Sequence, residues 1–450
     1  MRVIEPATEK VLAEVAEASV EDADRAVARA KAAYPAWRAV SPGDRAKLLR
    51  RFANAVADDA GKLAELEARN VGKPISDARG EVGMVVDVFN YYAGAPERLL
   101  GNTIPVAGGV DMTFREPLGV VALIVPWNFP IAITSWKLGP ALAAGNTVVL
   151  KPAALTPMTA LELERLALLA GIPEGVFNIV VGAGRTVGER LVQHPDVAKV
   201  AFTGSTEVGR RIGALAADSI KRVTLELGGK SANIVFADAD IDRAAASAPG
   251  AVFGNAGQDC CARSRILVER SVVERFMQAL EIAIKKLRVG DPMDEKTEMG
   301  PLISADHRSK VATYLEDGAK VAIRGSAPSG AGFWFPPTVL SPVAPTDRAA
   351  REEIFGPIVA VIPFSDEADA IRIANDTVYG LSGSIWTNNA GRAMRVARAL
   401  ETGTISINSN TSVRVTTPFG GFKQSGIGRE LGPNALDHYT ELKNVFLSTT

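Results

Sequence analysis

From residue 118 onward, apolar runs of strand length alternate with helix-length segments about every 25 residues. VVALIVP (120–126) comes first, and a helical run follows it to Ala144, where Gly145 acts as a stop. TVVL (147–150) is a second buried strand, and MTALELERLALLAGIP (158–173) is a helix ended by Gly171 and Pro173. VFNIVVG (176–182), the helix VGERLVQH (187–194) and the strand VAKVAFTG (197–204) continue the pattern. Such alternation specifies βαβ units, a parallel sheet with helices on its faces. Sheets of this kind bind ligands at the carboxyl ends of their strands. A second alternating stretch, from about 230 to 430, holds RILVER, a helix after Val272, IVAVIPF (358–364), a helix after Asp366, and TISINSN (404–410). The expected fold is α/β, with two domains and a cleft between them.

The 450 residues exceed what one simple core organises. A net charge of −1 argues against nucleic acid or an anionic membrane surface as partner. The longest apolar runs fall short of a membrane span, and MRVIEPATEKVL has no basic region ahead of an apolar stretch. The cytoplasm is the expected location. The only cysteines, Cys260 and Cys261, are adjacent, which excludes a disulfide framework. His194, His307 and His438 have no Cys or His partner at metal spacing, so no zinc site is expected.

Residues 20–70 are helical and amphipathic, with Asp22 and Asp24 near the start and Gly72 as a stop. GNTIPVAGGVDMTFREP (101–117) alternates apolar and polar residues around Gly108-Gly109. It is expected to be a hairpin that interrupts the first domain, an arm that meets another subunit.

Three glycine-rich strings resemble nucleotide loops without matching them. GSTEVGRR (204–211) lacks Lys-Ser/Thr after Gly209, and GGKS (228–231) has Thr224 where the leading glycine belongs. GAGRTVG (182–188) has one residue too many between its last glycines. GSTEVG does follow an apolar strand and precede a helix-like run, so its free amides could hold a pyrophosphate.

Cys260 lies in GNAGQDCCARSR (254–265), a polar, glycine-containing loop suited to presenting a thiol. Cys261 reads as a small buried hydrophobe. Glu226, in TLELGGKSANIV (224–235), is flanked by leucines on an apolar strand. Desolvation there would raise its pKa and prepare it for proton transfer; the alternative is an exposed strand glutamate. Asn128 stands between Trp127 and Phe129 in VPWNFP (125–130). Its amide could donate to an oxyanion, or it could be a turn residue.

Taken together, PWNFP (126–130), LKPA (150–153), FTGSTEVG (202–209), LELGGK (225–230), GQDCCA (257–262), EEIFGP (352–357) and PFGGFKQSGIGRE (418–430) resemble the aldehyde dehydrogenase superfamily. The order and spacing also match, from about Ile4 to Phe446. The resemblance implies a Rossmann-like coenzyme domain (1–100 and 118–229), a Rossmann-like catalytic domain (230–433) and a small β oligomerisation arm (101–117 and 434–450). It implies NAD or NADP as coenzyme, a small-molecule aldehyde as substrate, and a homodimer or homotetramer. Cys260 is then the nucleophile that forms a thiohemiacetal and a thioester, with Asn128 and the Cys260 amide at the oxyanion. Glu226 activates water, and Lys137 and Glu430 relay its protons. Glu353 and Phe355 hold the nicotinamide ribose and ring, Lys151 reaches the adenosine ribose, and Gly204 and Ser205 face the pyrophosphate. Pro126, Trp127, Ala154 and Leu227 complete the coenzyme set.

Three departures from relatives bear on specificity. Many members carry an N-terminal hairpin ahead of the EPATEKV segment, which is trimmed here. Ala154 stands where NAD-preferring members put a ribose-binding Glu, and Arg185 lies in the loop expected near the adenine, so NADP should be tolerated. Phe129, Ile133, Trp136, Val413 and Phe419 match tunnel-lining positions and imply an uncharged reacting end. Thr411 replaces an Asp of several relatives. The GQDC string is shared with amino-aldehyde dehydrogenases and points to an amino- or acylamino-aldehyde. Arg263 and Arg414 are extra cations that either pair with a distant substrate carboxylate or are structural. A CoA-acylating enzyme and a non-catalytic structural protein are the competing readings; Glu226 disfavours the first, and the Cys260, Glu226, Asn128 and Glu353 set the second.

Overall fold

The computed structural model describes residues 1–316, 318–411 and 413–449. Two mainly parallel sheets carry the molecule. In the first, the chain enters at the central strand Val120–Ile124 and steps outward through Thr147–Lys151 to Phe177–Ile179. It then returns to the other side of the centre with Val197–Thr203 and Arg222–Glu226. Val120–Ile124 and Thr147–Lys151 are buried along their whole length, as strands covered on both faces must be. The reversal between Val120–Ile124 and Val197–Thr203 is a topological switch point, where the carboxyl ends of two strands splay into a crevice.

The second sheet repeats this order. Ala232–Val235, Arg265–Glu269 and Ile358–Phe364 run outward on one side, and Ser382–Trp386 and Thr404–Ile407 on the other. Thr338–Leu340 and the antiparallel Val321–Arg324 extend its far edge. A third sheet joins the hairpin Thr103–Val106 and Gly109–Pro117 to the terminal strand Thr440–Ser448; Thr450 of that expected arm lies outside the described residues.

The helical start is three helices, Val20–Ala39, Pro42–Asp58 and Ala60–Val71. Ser19 and Asp22 form a reciprocal capping box at the first, and Gly72 ends the third in the left-handed conformation, φ 89°. A fourth helix, Ile75–Ala93, was not read from the sequence. It buries Val82, Val85, Val88, Phe89 and Tyr92 against the helix Pro130–Ala143. Every residue of Pro130–Ala143 is buried, because it is wedged between that helical layer and the first sheet. No helix of the described residues is long and apolar enough to cross a membrane.

The sequence boundary at 230–433 is crossed by a strand. Gly426–Ile427 pairs antiparallel with Leu225–Glu226 and so extends the first sheet. The turn Pro433–Tyr439, expected as part of the arm, also packs on the first core through Ala435 and Tyr439. Tyr92 donates to the Gly432 carbonyl at 3.0 Å and Asn146 to the Tyr439 carbonyl at 2.9 Å. The pairing joins residues some two hundred positions apart, which no local pattern announces.

Gly426 makes this return possible. Its φ is +147°, and a Cβ there would stand 2.1 Å from the Leu225 carbonyl oxygen. Gly426→Ala should therefore cost about 1–3 kcal/mol of stability and lower turnover by displacing Glu226. Urea unfolding with a midpoint equal to wild type would count against the backbone contact.

Candidate active site

The two sheets present opposite ends to a shared cleft. From the first come groups just past the carboxyl ends of strands: Asn128 after Val120–Ile124, Lys151 and Glu226. From the second come groups just before the amino ends: Cys260 ahead of Arg265–Glu269, and Glu353 and Phe355 ahead of Ile358–Phe364.

The cysteine loop follows the helix Ile241–Phe253 and turns through three successive left-handed residues, Asn255 (φ 49°), Ala256 (φ 56°) and Gly257 (φ 71°). Each non-glycine residue so placed costs about 1–3 kcal/mol and persists only where the surroundings enforce it. Here they do. Asn255 Nδ2 donates to the Asn128 carbonyl at 3.0 Å and Gln258 Nε2 to the Asn255 carbonyl at 3.0 Å. The buried Gln258 accepts from the Ile303 amide at 2.8 Å. A Cβ on Gly257 would meet the Gly356 carbonyl oxygen at 2.3 Å, and one on Gly229 would meet the Cys260 carbonyl oxygen at 2.3 Å. Glycine at both positions lets the loop press against the Glu353 segment and the end of the Glu226 strand.

Cys260 is half-buried and Cys261 buried. Asp259 accepts from the Cys261 amide at 2.8 Å, and its carboxylate lies within 4.8 Å of both sulfurs. The hydrogen bond with Cys261, burial and the nearby Cys261 and Asp259 charges hold the Cys260 thiol well above its ordinary pKa. The free protein therefore carries Cys260 as a thiol. Asn128 is buried and spends one amide N–H on the Gln258 carbonyl, at 3.0 Å. Its second N–H is left for another acceptor.

Glu226 is buried, and neither carboxylate oxygen has a hydrogen-bond partner among the described residues. Burial first, then the charge of Glu430, pushes its pKa well above the ordinary value, against the pull of Lys137 and Arg429. Lys137 and Glu430 form a fully buried ion pair, and the second Glu430 oxygen is also unpartnered. A carboxylate with raised proton affinity thus sits beside a paired carboxylate and ammonium.

Glu353 accepts from the Gly229 amide at 2.9 Å, and burial pushes its pKa up to about 7. Phe355 is left-handed, φ 57°, and packs edge to face with Trp127 at 5.3 Å. Trp127 also meets the His307 ring at 5.4 Å, beside the half-buried Pro126. His307 Nε2 lies 2.7 Å from the Phe355 carbonyl oxygen; a carbonyl only accepts, so that nitrogen carries the proton. This role for His307 was missed, since nothing in the residues around it marks a partner from the EEIFGP segment.

Lys151 is buried and, among the described residues, donates to its neighbour Pro152 at 3.0 Å; burial lowers its pKa to about 8. The Gly184–Gly188 turn lies along its stem, with Arg185 exposed and Ala154 half-buried nearby in sequence. Ser205 caps the helix Thr206–Ala217 by accepting from the Val208 amide. Two expectations change. The Gly204 amide is not free, because it donates to the Glu226 carbonyl at 3.1 Å. Leu227 gives its amide to Ser425 and its side chain packs beneath Gly209, so only its carbonyl can face a ligand.

The helix Pro130–Ala143 places Ile133 and Trp136 one turn apart, with the Trp136 ring 5.3 Å from Phe419. Val413 is packed on the same apolar core. Phe129 has the Lys73 ammonium over its ring at 4.3 Å. Lys73 is fully buried with Glu81 at 2.6 Å and Glu67 at 3.6 Å, a cluster that its helical, polar sequence context disguises as solvated surface. Arg263 is also buried and donates to Ser384 Oγ at 2.7 Å and to the Cys261 and Gly383 carbonyls. It is a structural cation. Arg414 and Thr411 are exposed.

A profile of the aldehyde dehydrogenase family matches residues 1–445. The betaine aldehyde dehydrogenase of Bacillus subtilis (strain 168) is 41% identical over 459 residues, which cover 99% of this chain and 94% of that protein. The phenylacetaldehyde dehydrogenase of Pseudomonas fluorescens is 43% identical over 464 residues, 100% of this chain and 92% of that protein. The crystal structure of PnpE in complex with nicotinamide adenine dinucleotide superposes with a TM-score of 0.97 at 44% identity, covering 100% of this chain and 94% of that one. This chain belongs to the aldehyde dehydrogenase family, whose members oxidise aldehydes with NAD(P).

Proposed function

We propose that Cys260 is the nucleophile, Glu226 the general base for hydrolysis, and Asn128 with the Cys260 amide the oxyanion donors. The observation that carries this reading is the buried, unpartnered Glu226 carboxylate at the strand end against which the cysteine loop is pressed. The Cys260 thiol gives its proton to solvent water, and its sulfur bonds to the aldehyde carbon. The free Asn128 N–H then faces the oxygen that becomes negative, a contact of the kind that contributes about 3–4 kcal/mol in the transition state. NAD(P), when bound, supplies the acceptor for the hydride that leaves the same carbon. Glu226 next takes a proton from water, the oxygen of that water bonds to the thioester carbon, and the C–S bond breaks to return the Cys260 thiolate. Lys137 and Glu430, paired behind Glu226, take up that proton.

The chain's own groups fit a dinucleotide. Glu353 would stand opposite ribose hydroxyls, Phe355, Trp127 and Pro126 would bound the nicotinamide end, and Lys151 would reach the adenosine ribose beside Ala154. Ser205 and the first helix amides after it suit the pyrophosphate, and the Gly204 and Leu227 carbonyls line the same crevice. The domain assignment is coenzyme binding for 1–100 and 118–229, joined by Gly426–Ile427, and catalysis for most of 230–433.

Phe129, Ile133, Trp136, Val413 and Phe419 support an aldehyde with an apolar or aromatic body. With Arg263 committed to carbonyls, an acylamino-aldehyde with a distal carboxylate loses one of its two candidate partners. The arm sheet leaves Phe114, Leu442, Phe446 and Leu447 exposed, at 47%, 58%, 52% and 56%. Exposed apolar strands of this extent suit a partner surface, and a homodimer or homotetramer follows; sedimentation of the intact protein as a monomer would remove that reading.

Wild type should reduce NAD or NADP in the presence of an aldehyde, and Cys260→Ala should not. Glu226→Gln should release about one NAD(P)H per site and then stall, because the thioester is no longer hydrolysed. Unchanged steady turnover would remove the base assignment, and wild-type turnover that stalls after one equivalent until CoA is added would favour the acyl-transfer alternative. Ala154 leaves the adenosine ribose free of a repelling carboxylate, so wild type should accept both coenzymes. Ala154→Glu should lower kcat/KM for NADP by roughly tenfold or more, the scale of a like-charge contact, and leave NAD little changed. A wild type that rejects NADP would sink this idea.

A further inference from the structure

We propose that Lys199 is a further proton carrier of this site, taking the proton of the hydrolytic water from the Glu430–Lys137 pair and passing it towards His438. This rests on the base and relay assignments above and extends them.

Lys199 lies on Val197–Thr203, beside Arg222–Glu226 in parallel register, opposite Arg222, while Thr203 lies opposite Glu226. Side chains two apart on a strand share a face. Lys199, Ala201 and Thr203 therefore look the same way as Thr224 and Glu226. The Lys199 Nζ donates to Thr224 Oγ1 at 2.6 Å, as that requires. Val200, Phe202 and Leu225 face the opposite core, and Ala201 faces the one that contains Tyr439. A polar row that begins at Glu226 is thus sunk into an apolar layer.

Lys199 is 1% exposed. Its partners are a hydroxyl and the face of the Tyr439 ring, 4.9 Å away, and no carboxylate is paired with it among the described residues. An ammonium so buried favours its neutral form. Burial first, then the Lys137 charge, opposed by Glu430, and the Arg222 charge together bring its pKa down to about 7. An amine balanced near working pH can both take and give a proton.

The groups around it continue the path. Glu226 Oε1 and Oε2, Glu430 Oε2, Thr203 Oγ1 and the Tyr439 hydroxyl are all buried without a partner among the described residues. Buried polar atoms in this situation are commonly bridged by water, and in the proposed path one such water joins Glu430 to the amine. Lys199 is faced by Arg222 and Thr224 from the neighbouring strand, Lys137 from the helix Pro130–Ala143, Glu430 from the returning segment, and Tyr439 and His438 from the last turn. Tyr92 acts on Tyr439 from the helix Ile75–Ala93. His438 is half-buried. Its ring and the Thr224 hydroxyl lie 3.5 and 3.4 Å from where a Cβ on Gly428 would stand, so the row reaches the surface there.

In the step itself, water gives one proton to Glu226 as its oxygen bonds to the thioester carbon. The C–S bond breaks and the Cys260 sulfur leaves with the electron pair. The proton moves to Glu430, then to the neutral Lys199 amine, and the resulting ammonium releases it to solvent beside His438. No net oxidation or reduction occurs.

Lys199→Met and Lys199→Arg test this, since arginine keeps bulk and charge but does not give up its proton. Both should form the thioester with a wild-type burst and hydrolyse it roughly tenfold or more slowly. In wild type, thioester hydrolysis should fall as pH drops through about 7, where the amine becomes protonated; both variants should lose that limb and keep only the one set by Glu226, whose pKa is also raised. Hydrolysis in Lys199→Arg within about twofold of wild type, with the limb retained, overturns the proposal, because the reaction then needs no group at 199 that gives up its proton. If Lys199→Met does not fold, Lys199→Arg decides alone. A Glu226→Gln variant that turns over steadily would remove the underlying base assignment. A stalled Glu226→Gln with a normal Lys199→Arg removes only the Lys199 step.

Discussion

Placing the Glu226 carboxylate at the end of a buried strand with no hydrogen-bond donor costs several kcal/mol in desolvation if the group stays charged. The fold tolerates it because the backbone around it is fully occupied. The Glu226 carbonyl accepts from Gly204, its strand pairs with Val197–Thr203 on one side and Gly426–Ile427 on the other, and Leu227 donates to Ser425. The strain is thus confined to one side chain, whose proton affinity rises as a consequence. Behind it, Lys137 and Glu430 add an ion pair that is neutral as a unit, so the site carries charge without a net burden.

Glycine governs how closely the pieces of the site approach one another. Gly228 and Gly229 admit the Glu353 carboxylate and the Cys260 carbonyl to within 2.3 Å of where a Cβ would be. Gly257 does the same for the Gly356 carbonyl. These contacts fasten three loops, from two sheets, into one rigid wall. The left-handed residues Asn255, Ala256 and Phe355 occur within those loops, which is where packing can enforce an unfavourable backbone.

Much of this was legible in the residues. The strand-helix alternation after residue 118 corresponds to strands at Val120–Ile124, Thr147–Lys151, Phe177–Ile179 and Val197–Thr203, and Ile358–Phe364 has the same bounds as its apolar run. Gly72 does end its helix, and the Gly108-Gly109 segment does turn back as a hairpin. The helix Ile75–Ala93 was overlooked because two glycines and an acidic start blur its periodicity. The Gly204 amide was misjudged because its acceptor comes from a different strand. Lys73, Lys199 and Arg263 have ordinary neighbours in sequence and extraordinary ones in space.

By itself, the sequence determined the fold class and the residue types available for chemistry, because hydrophobic period and motif order are local properties of the chain. Only the tertiary structure decided which of those residues are buried, what each one donates to or accepts from, and hence which way its proton affinity moves. Glu226 is an ordinary glutamate in a string of letters. It becomes a group of raised pKa when a strand from two hundred residues away closes over it, since desolvation and neighbouring charge are properties of position in space.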